Sequence, residues 1–127
     1  MGGTIIQSPN YPEEYDNNID CALKIRLGAE EVVLLEFIAF ELQPDWSCDL
    51  DFLEIRDGDS HDARFLAKKC DSVVPSNIKS TGNTMYIRFH TNVDDTRRGF
   101  RFKVEAGMQR ISISTYVSFN HMLERYD

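Results

Sequence analysis

The sequence predicts an all-β protein, an antiparallel β-sandwich carrying a short C-terminal extension of helical character, and three observations predict it. Apolar and polar residues alternate at period two in several separate runs, turn-forming residues divide the runs at short intervals, and no apolar stripe of helical period occurs before residue 107. Many short half-buried strands without intervening helices bury their apolar faces by stacking two sheets.

Taken in order, Thr4 to Gln7 is a candidate strand closed by a Pro9-Asn10 turn, and Ala22 to Leu27 is a second, closed at Leu27-Gly28. Val33, Leu35 and Phe37 share one face of a third, which ends before Pro44-Asp45. Leu53 and Ile55 mark a fourth, ended by Asp57-Gly58-Asp59, and Arg64 to Lys68 a fifth, followed by Pro75-Ser76. After the tight reversal expected at Gly82-Asn83 come Met85, Ile87 and Phe89, and after Arg98-Gly99 come Phe100, Phe102 and Val104. Pro9 and Pro12 are expected to keep the N-terminal arm extended. Beyond Gly107 the pattern changes: Arg110 to Tyr116 still alternates around Ile111 and Ile113, and Phe119, Met122, Leu123 and Tyr126 then fall at helical spacing behind a cap at Ser118. One domain over residues 1–107 is expected, with 108–127 as a linker or extension, or as the start of a following domain.

A chain of 127 residues suffices for one core. Its net charge of -7, from 21 acidic against 14 basic residues, disfavours nucleic acid and favours a protein partner offering basic groups. The longest apolar run, Val32 to Leu35, is far too short for a membrane span, so no direct membrane insertion is expected. His61, His90 and His121 stand in no metal-ligand spacing, and neither a phosphate loop nor a nucleophile elbow appears. Asp94 and Asp95 are adjacent and so need not face one cleft as an acid/base pair would. These readings point away from catalysis. Three cysteines leave two alternatives, a disulfide with one thiol left over or three buried reduced thiols.

An ordered set of short matches narrows the choice. Gly3-Thr4-Ile5-Ile6-Gln7-Ser8-Pro9-Asn10-Tyr11-Pro12, then Tyr15, Asn18, Cys21, Phe37, Phe40, Cys48, Asp51, Asp57-Gly58, Cys70, Ser80-Thr81-Gly82-Asn83 and Gly99-Phe100 together resemble a CUB domain, over roughly residues 1 to 106. That resemblance implies a jelly-roll-like β-sandwich, an extracellular location, and a noncatalytic protein-binding module of a larger secreted or membrane-anchored protein. It also implies a Cys48–Cys70 disulfide, worth roughly 3 kcal/mol in the chain-entropy model. Cys21 is left unpaired, because the family's cysteine before the opening Gly-Gly is replaced by Met1. The chain departs from the family at Leu23, where Trp is common, and at Leu50, Asp16 and Asp71.

Many members of the family bind calcium at one loop end, where acidic side chains then capture a partner's lysine or arginine. The positions implied for that site are Gln43, Asp51 and Asn92, with Tyr15 nearby, so two of its three carboxylates are amides here. Asp94 and Asp95 can restore the lost charge, giving a rearranged calcium site; the alternative is a solvated acidic tip without an ion. Partner binding is expected at Tyr15, Asp45, Asp51 and Asp94. Two other functions fit the resemblance. One is a regulatory or substrate-recruiting domain of a secreted metalloprotease whose catalytic domain begins near Tyr116, and the other is a carbohydrate-binding secreted module.

Overall fold

The structure, a computed structural model, describes residues 3–108. The alternating segment 110–116, the expected helix and Met1 lie outside the described residues. Eight strands form two antiparallel four-stranded sheets: β1 (Thr4–Gln7), β2 (Asp20–Arg26), β3 (Glu31–Glu41), β4 (Phe52–Asp57), β5 (Arg64–Lys69), β6 (Ile78–Lys79), β7 (Thr84–His90) and β8 (Gly99–Met108). One sheet has the order β1-β8-β3-β6 and the other β2-β7-β4-β5, with no helix among the described residues. The all-β sandwich expected from alternation is present. Strand β6 was not expected, since two residues are too short to display a period. Strand β8 runs to Met108, one residue past the expected module end.

The alternating residues fill the space between the sheets. Val33, Leu35 and Phe37 of β3, Leu53 and Ile55 of β4, Met85, Ile87 and Phe89 of β7, and Phe100, Phe102 and Val104 of β8 are all buried. Each such side chain contributes roughly 1.5–3 kcal/mol through burial. A register shift between Phe37 and Ala39 moves the inward position to Phe40, which pairs with Phe100 across the ladder. Phe40 and the wholly buried Leu42 therefore carry the core up to the loop that follows β3. His90 falls on the outer face, stacked on Phe52 at 5.0 Å between ring centroids.

The N-terminal arm differs from expectation. Instead of running extended it turns on itself: Tyr11 N–H donates to Ser8 O at 3.2 Å, and Glu13 N–H to Asn10 O at 2.7 Å, with Asn10 in the left-handed region at φ 72°. Asparagine tolerates that conformation, which the prolines alone did not reveal. Ser8 Oγ accepts from Phe100 N–H at 3.0 Å, so the arm is pinned where β8 begins. Gly99, at φ 99°, permits this approach, since any side chain there would collide with Ser8 Oγ. The arm then follows the loop between β7 and β8, with Tyr15 N–H donating to Arg97 O at 3.0 Å and Asn18 N–H to Asn92 O at 2.8 Å. That path delivers Tyr15 into the interior.

Candidate functional site: an acidic loop end

Three segments meet at this end of the sandwich: the arm, the β3–β4 loop and the β7–β8 loop. Asp51, immediately before β4, is fully buried. Its Oδ2 accepts the Tyr15 hydroxyl at 2.7 Å and its Oδ1 accepts Asn92 N–H at 2.8 Å. Tyr15, only 2% exposed, packs edge-on against Phe89 with centroids 5.2 Å apart. Burial, and then the hydrogen bond to Asp51, push its phenol pKa far upward, so it stays a neutral donor. Tyr15 and Asp51, both expected to meet a partner, are instead buried beneath the loops. No ion pair to Asp51 occurs among the described residues.

Gln43 is also buried, at 7% exposure, and its Nε2 donates to Asp95 Oδ2 at 3.2 Å, while its Oε1 is buried without a partner. Asp95 sits in the left-handed region at φ 68° and receives Arg97 through two donors, Nε on Oδ1 at 3.0 Å and Nη2 on Oδ2 at 3.2 Å. The Arg97 guanidinium holds the Asp95 carboxyl below the usual carboxylate range. Asn92 faces this cluster with its backbone, and its Oδ1 accepts Asp94 N–H at 3.4 Å. Asp94 and Asp95 are both exposed; Asp94 reaches Asn92 through its backbone N–H, and of the two carboxylates that of Asp95 is the one hydrogen-bonded to a residue of the implied calcium set, Gln43.

Asp45 turns inward on its own loop, its Oδ2 accepting the backbone N–H of Asp49 at 2.6 Å and of Leu50 at 3.3 Å. The Cys48–Cys70 disulfide is present, and Leu42 N–H donates to Asp71 O at 2.8 Å beside it, so the β3–β4 loop is tied to the segment after β5. Trp46 and Val93 project from the two loops into solvent. Cys21 is a free, exposed cysteine on β2, opposite Phe89 in the ladder, and partial desolvation followed by the charge of Asp20 raises its pKa.

Chemically, the end is a set of hard oxygen donors around a buried carboxylate. Carboxylate and amide oxygens are calcium ligands, and each Asp51 oxygen takes one of the hydrogen bonds above, leaving a lone pair. The orphaned Gln43 Oε1 is an additional acceptor that lacks a donor. These residues fit a calcium ion in donor type. No three His, Cys, Asp or Glu side chains among the described residues converge as a metal site, so amide and water oxygens must complete the shell. Sequence reasoning missed Arg97; the Asp95-x-Arg97 spacing was its only signal, and such spacing is common on surfaces.

A family profile described as CUB domain matches residues 3–104. The dorsal-ventral patterning protein tolloid of Drosophila melanogaster is 40% identical over 95 residues, which cover 75% of this chain and 9% of that protein. The chain is therefore a small fraction of the length of the curated relatives it matches. The full extracellular region of zebrafish Gpr126/Adgrg6 superposes with a TM-score of 0.75 at 26% identity, covering 85% of this chain and 14% of that one. A crystal structure of the MASP-1 CUB2 domain bound to Ca2+ superposes with a TM-score of 0.71 at 25% identity, covering 80% and 89%.

Proposed function

The chain belongs to the CUB-domain family of extracellular, noncatalytic interaction modules, and from that premise we propose that it binds a lysine or arginine of a protein partner through the acidic loop end, organised by calcium. On this reading residues 1–107 form the module, and 108–127 are a linker, an extension or the start of a following domain. The observation that carries this reading is the fully buried Asp51 carboxylate, held by Tyr15 and Asn92 and lacking a cation among the described residues. A buried negative charge satisfied only by neutral donors projects an attractive field through the loops above it. Asp51, Gln43 Oε1, Asp95 and Asn92 would hold the ion, and calcium would supply the charge that fixes both loops in one arrangement. Its presence in the MASP-1 CUB2 crystal structure supports the same role here. Asp94 and Asp45 frame the rim that a basic side chain meets first.

Thermal melts of the protein in millimolar calcium and in chelator test the reading. Calcium binding at the weak extracellular end of the scale, on the order of 0.1 to 1 mM, should raise the Tm progressively with occupancy. A hexalysine peptide should bind the calcium form and lose affinity in Asp94→Asn. Identical melts with and without calcium would remove the ion from the proposal, and hexalysine binding unaffected by Asp94→Asn would remove the basic partner.

A further inference from the structure

We propose that Arg97 is a resident cation of the acidic loop end, an internal stand-in that must leave Asp95 before calcium or a partner's basic side chain can engage it. The inference rests on the reading above and concerns what sets the threshold of that site.

The Asp95 carboxylate is already committed within the chain. Arg97 grips it with two guanidinium nitrogens, Nε at 3.0 Å and Nη2 at 3.2 Å, a fork geometry that matches a carboxylate better than any single-point contact. Gln43 Nε2 adds a third donor at 3.2 Å. Three donors therefore point at the one carboxylate of the β7–β8 loop that is tied to Gln43. A cation that takes both carboxylate oxygens competes with these N–H groups for lone pairs, and the guanidinium charge repels it.

Gln43 supplies a second, independent observation. Its amide is buried with nitrogen turned to Asp95 and Oε1 left without a partner. Leaving a buried acceptor unsatisfied is unfavourable, and the orientation persists here because the nitrogen serves Asp95. A cation at Asp95 reverses that preference. With Arg97 withdrawn, rotating the amide brings Oε1 to the ion and turns Nε2 to the position that Oε1 leaves. The same end thus has two consistent arrangements, one latched by Arg97 with the amide nitrogen inward, and one loaded with a cation and the amide oxygen inward.

The exchange needs only side-chain motion. Arg97 O accepts Tyr15 N–H at 3.0 Å, which anchors its backbone, whereas its side chain is 34% exposed and free to swing into water. A lysine or arginine from a partner would reproduce the contacts that Arg97 makes, so the latch also resembles the partner it yields to.

Calcium titrations by calorimetry at fixed ionic strength, on wild type, Arg97→Gln and Arg97→Lys, test the proposal. Removing a unit positive charge a few ångströms from a divalent ion should tighten binding by about tenfold in Arg97→Gln. Arg97→Lys, which keeps the charge but loses the fork, should fall between the two. As a second readout, the NMR signal of Arg97 Nε–H in the wild type should lose its hydrogen-bonded shift as calcium loads. Should the wild type fail to bind while Arg97→Gln binds, the calcium reading of the native chain falls and the resident cation stands. Arg97→Gln binding no more tightly than wild type, or neither binding, overturns the resident cation. If Arg97→Gln does not fold, the Arg97→Lys titration decides, and an affinity equal to wild type overturns the proposal.

Discussion

Strand β4 has an aspartate at each end, and the molecule treats the two differently. Asp57, closing the strand, has a side chain only 5% exposed and is met by Thr81 N–H at 3.0 Å, the Thr81 hydroxyl at 2.7 Å and Arg64 Nη2 at 3.1 Å. Burial alone would raise its pKa, but the Thr81 and Arg64 hydrogen bonds outweigh burial and hold it below the usual carboxylate range. Asp51, preceding the strand, is more deeply buried yet receives only a phenol and a backbone amide. A buried acid with its own cation ties two loops together. A buried acid without one leaves its charge uncompensated by any cation among the described residues.

The largest expected effect breaks the comparison at the loop that shelters Asp51. Replacing both Cys48 and Cys70 by Ser should cost about 3 kcal/mol, read as a lower urea midpoint. The acid response of Asp57 should survive and any calcium response should vanish; loss of both would show that the two ends are not independent. Next, Asp51→Ala should cost roughly 2–3 kcal/mol by stranding the Tyr15 hydroxyl and Asn92 N–H in the interior, and Asp57→Ala less, because its partners Thr81 and Arg64 are exposed and can turn to water. Only the first should abolish the calcium-dependent rise in Tm. A calcium response that disappears equally in both variants contradicts the distinction.

Titration sharpens the contrast at opposite limits of pH. Because the folded pKa of Asp57 is depressed, its contribution is present above the unfolded value of about 3.9 and lost as pH falls through the folded one. Asp57→Asn should therefore flatten the acid limb of stability below about pH 4 relative to wild type. The Tyr15 phenol is raised instead, so its contribution is present below about pH 10 and lost as pH climbs beyond that. Tyr15→Phe should flatten the alkaline limb and leave the acid one intact. Smallest is Arg64→Gln, expected to cost under about 1 kcal/mol because Arg64 is largely solvent-exposed. It should also move the acid limb upward in pH, and chemical denaturation across pH measures both shifts.

The strands were legible because alternation is local: Met85, Ile87 and Phe89 announce an inward face whatever lies opposite. The family pattern carried the Cys48–Cys70 pairing in the same way. The loop end was legible as a collection of acids but not as an arrangement. Asp51 stands between Leu50 and Phe52, and its burial depends on Tyr15, a hydroxyl 36 positions earlier that only the folded arm brings near. The grip of Arg97 on Asp95 needs a left-handed residue at Asp95, and no period reports such a turn. The bulge after Phe37 likewise has no period of its own, although it decides that Phe40 faces inward.

Trp46 gives the molecule an optical property that follows from its placement alone. It is the sole tryptophan, and it stands in water on the loop held by Cys48. An indole already hydrated in the native state emits at long wavelength, so denaturation changes its colour little, in contrast to the blue-to-red shift of a core tryptophan. A surface that covers the β3–β4 loop dehydrates the same ring and moves its emission to the blue. The fluorophore is thus nearly silent to unfolding and responsive to contact, which separates docking from loss of structure in a single spectrum.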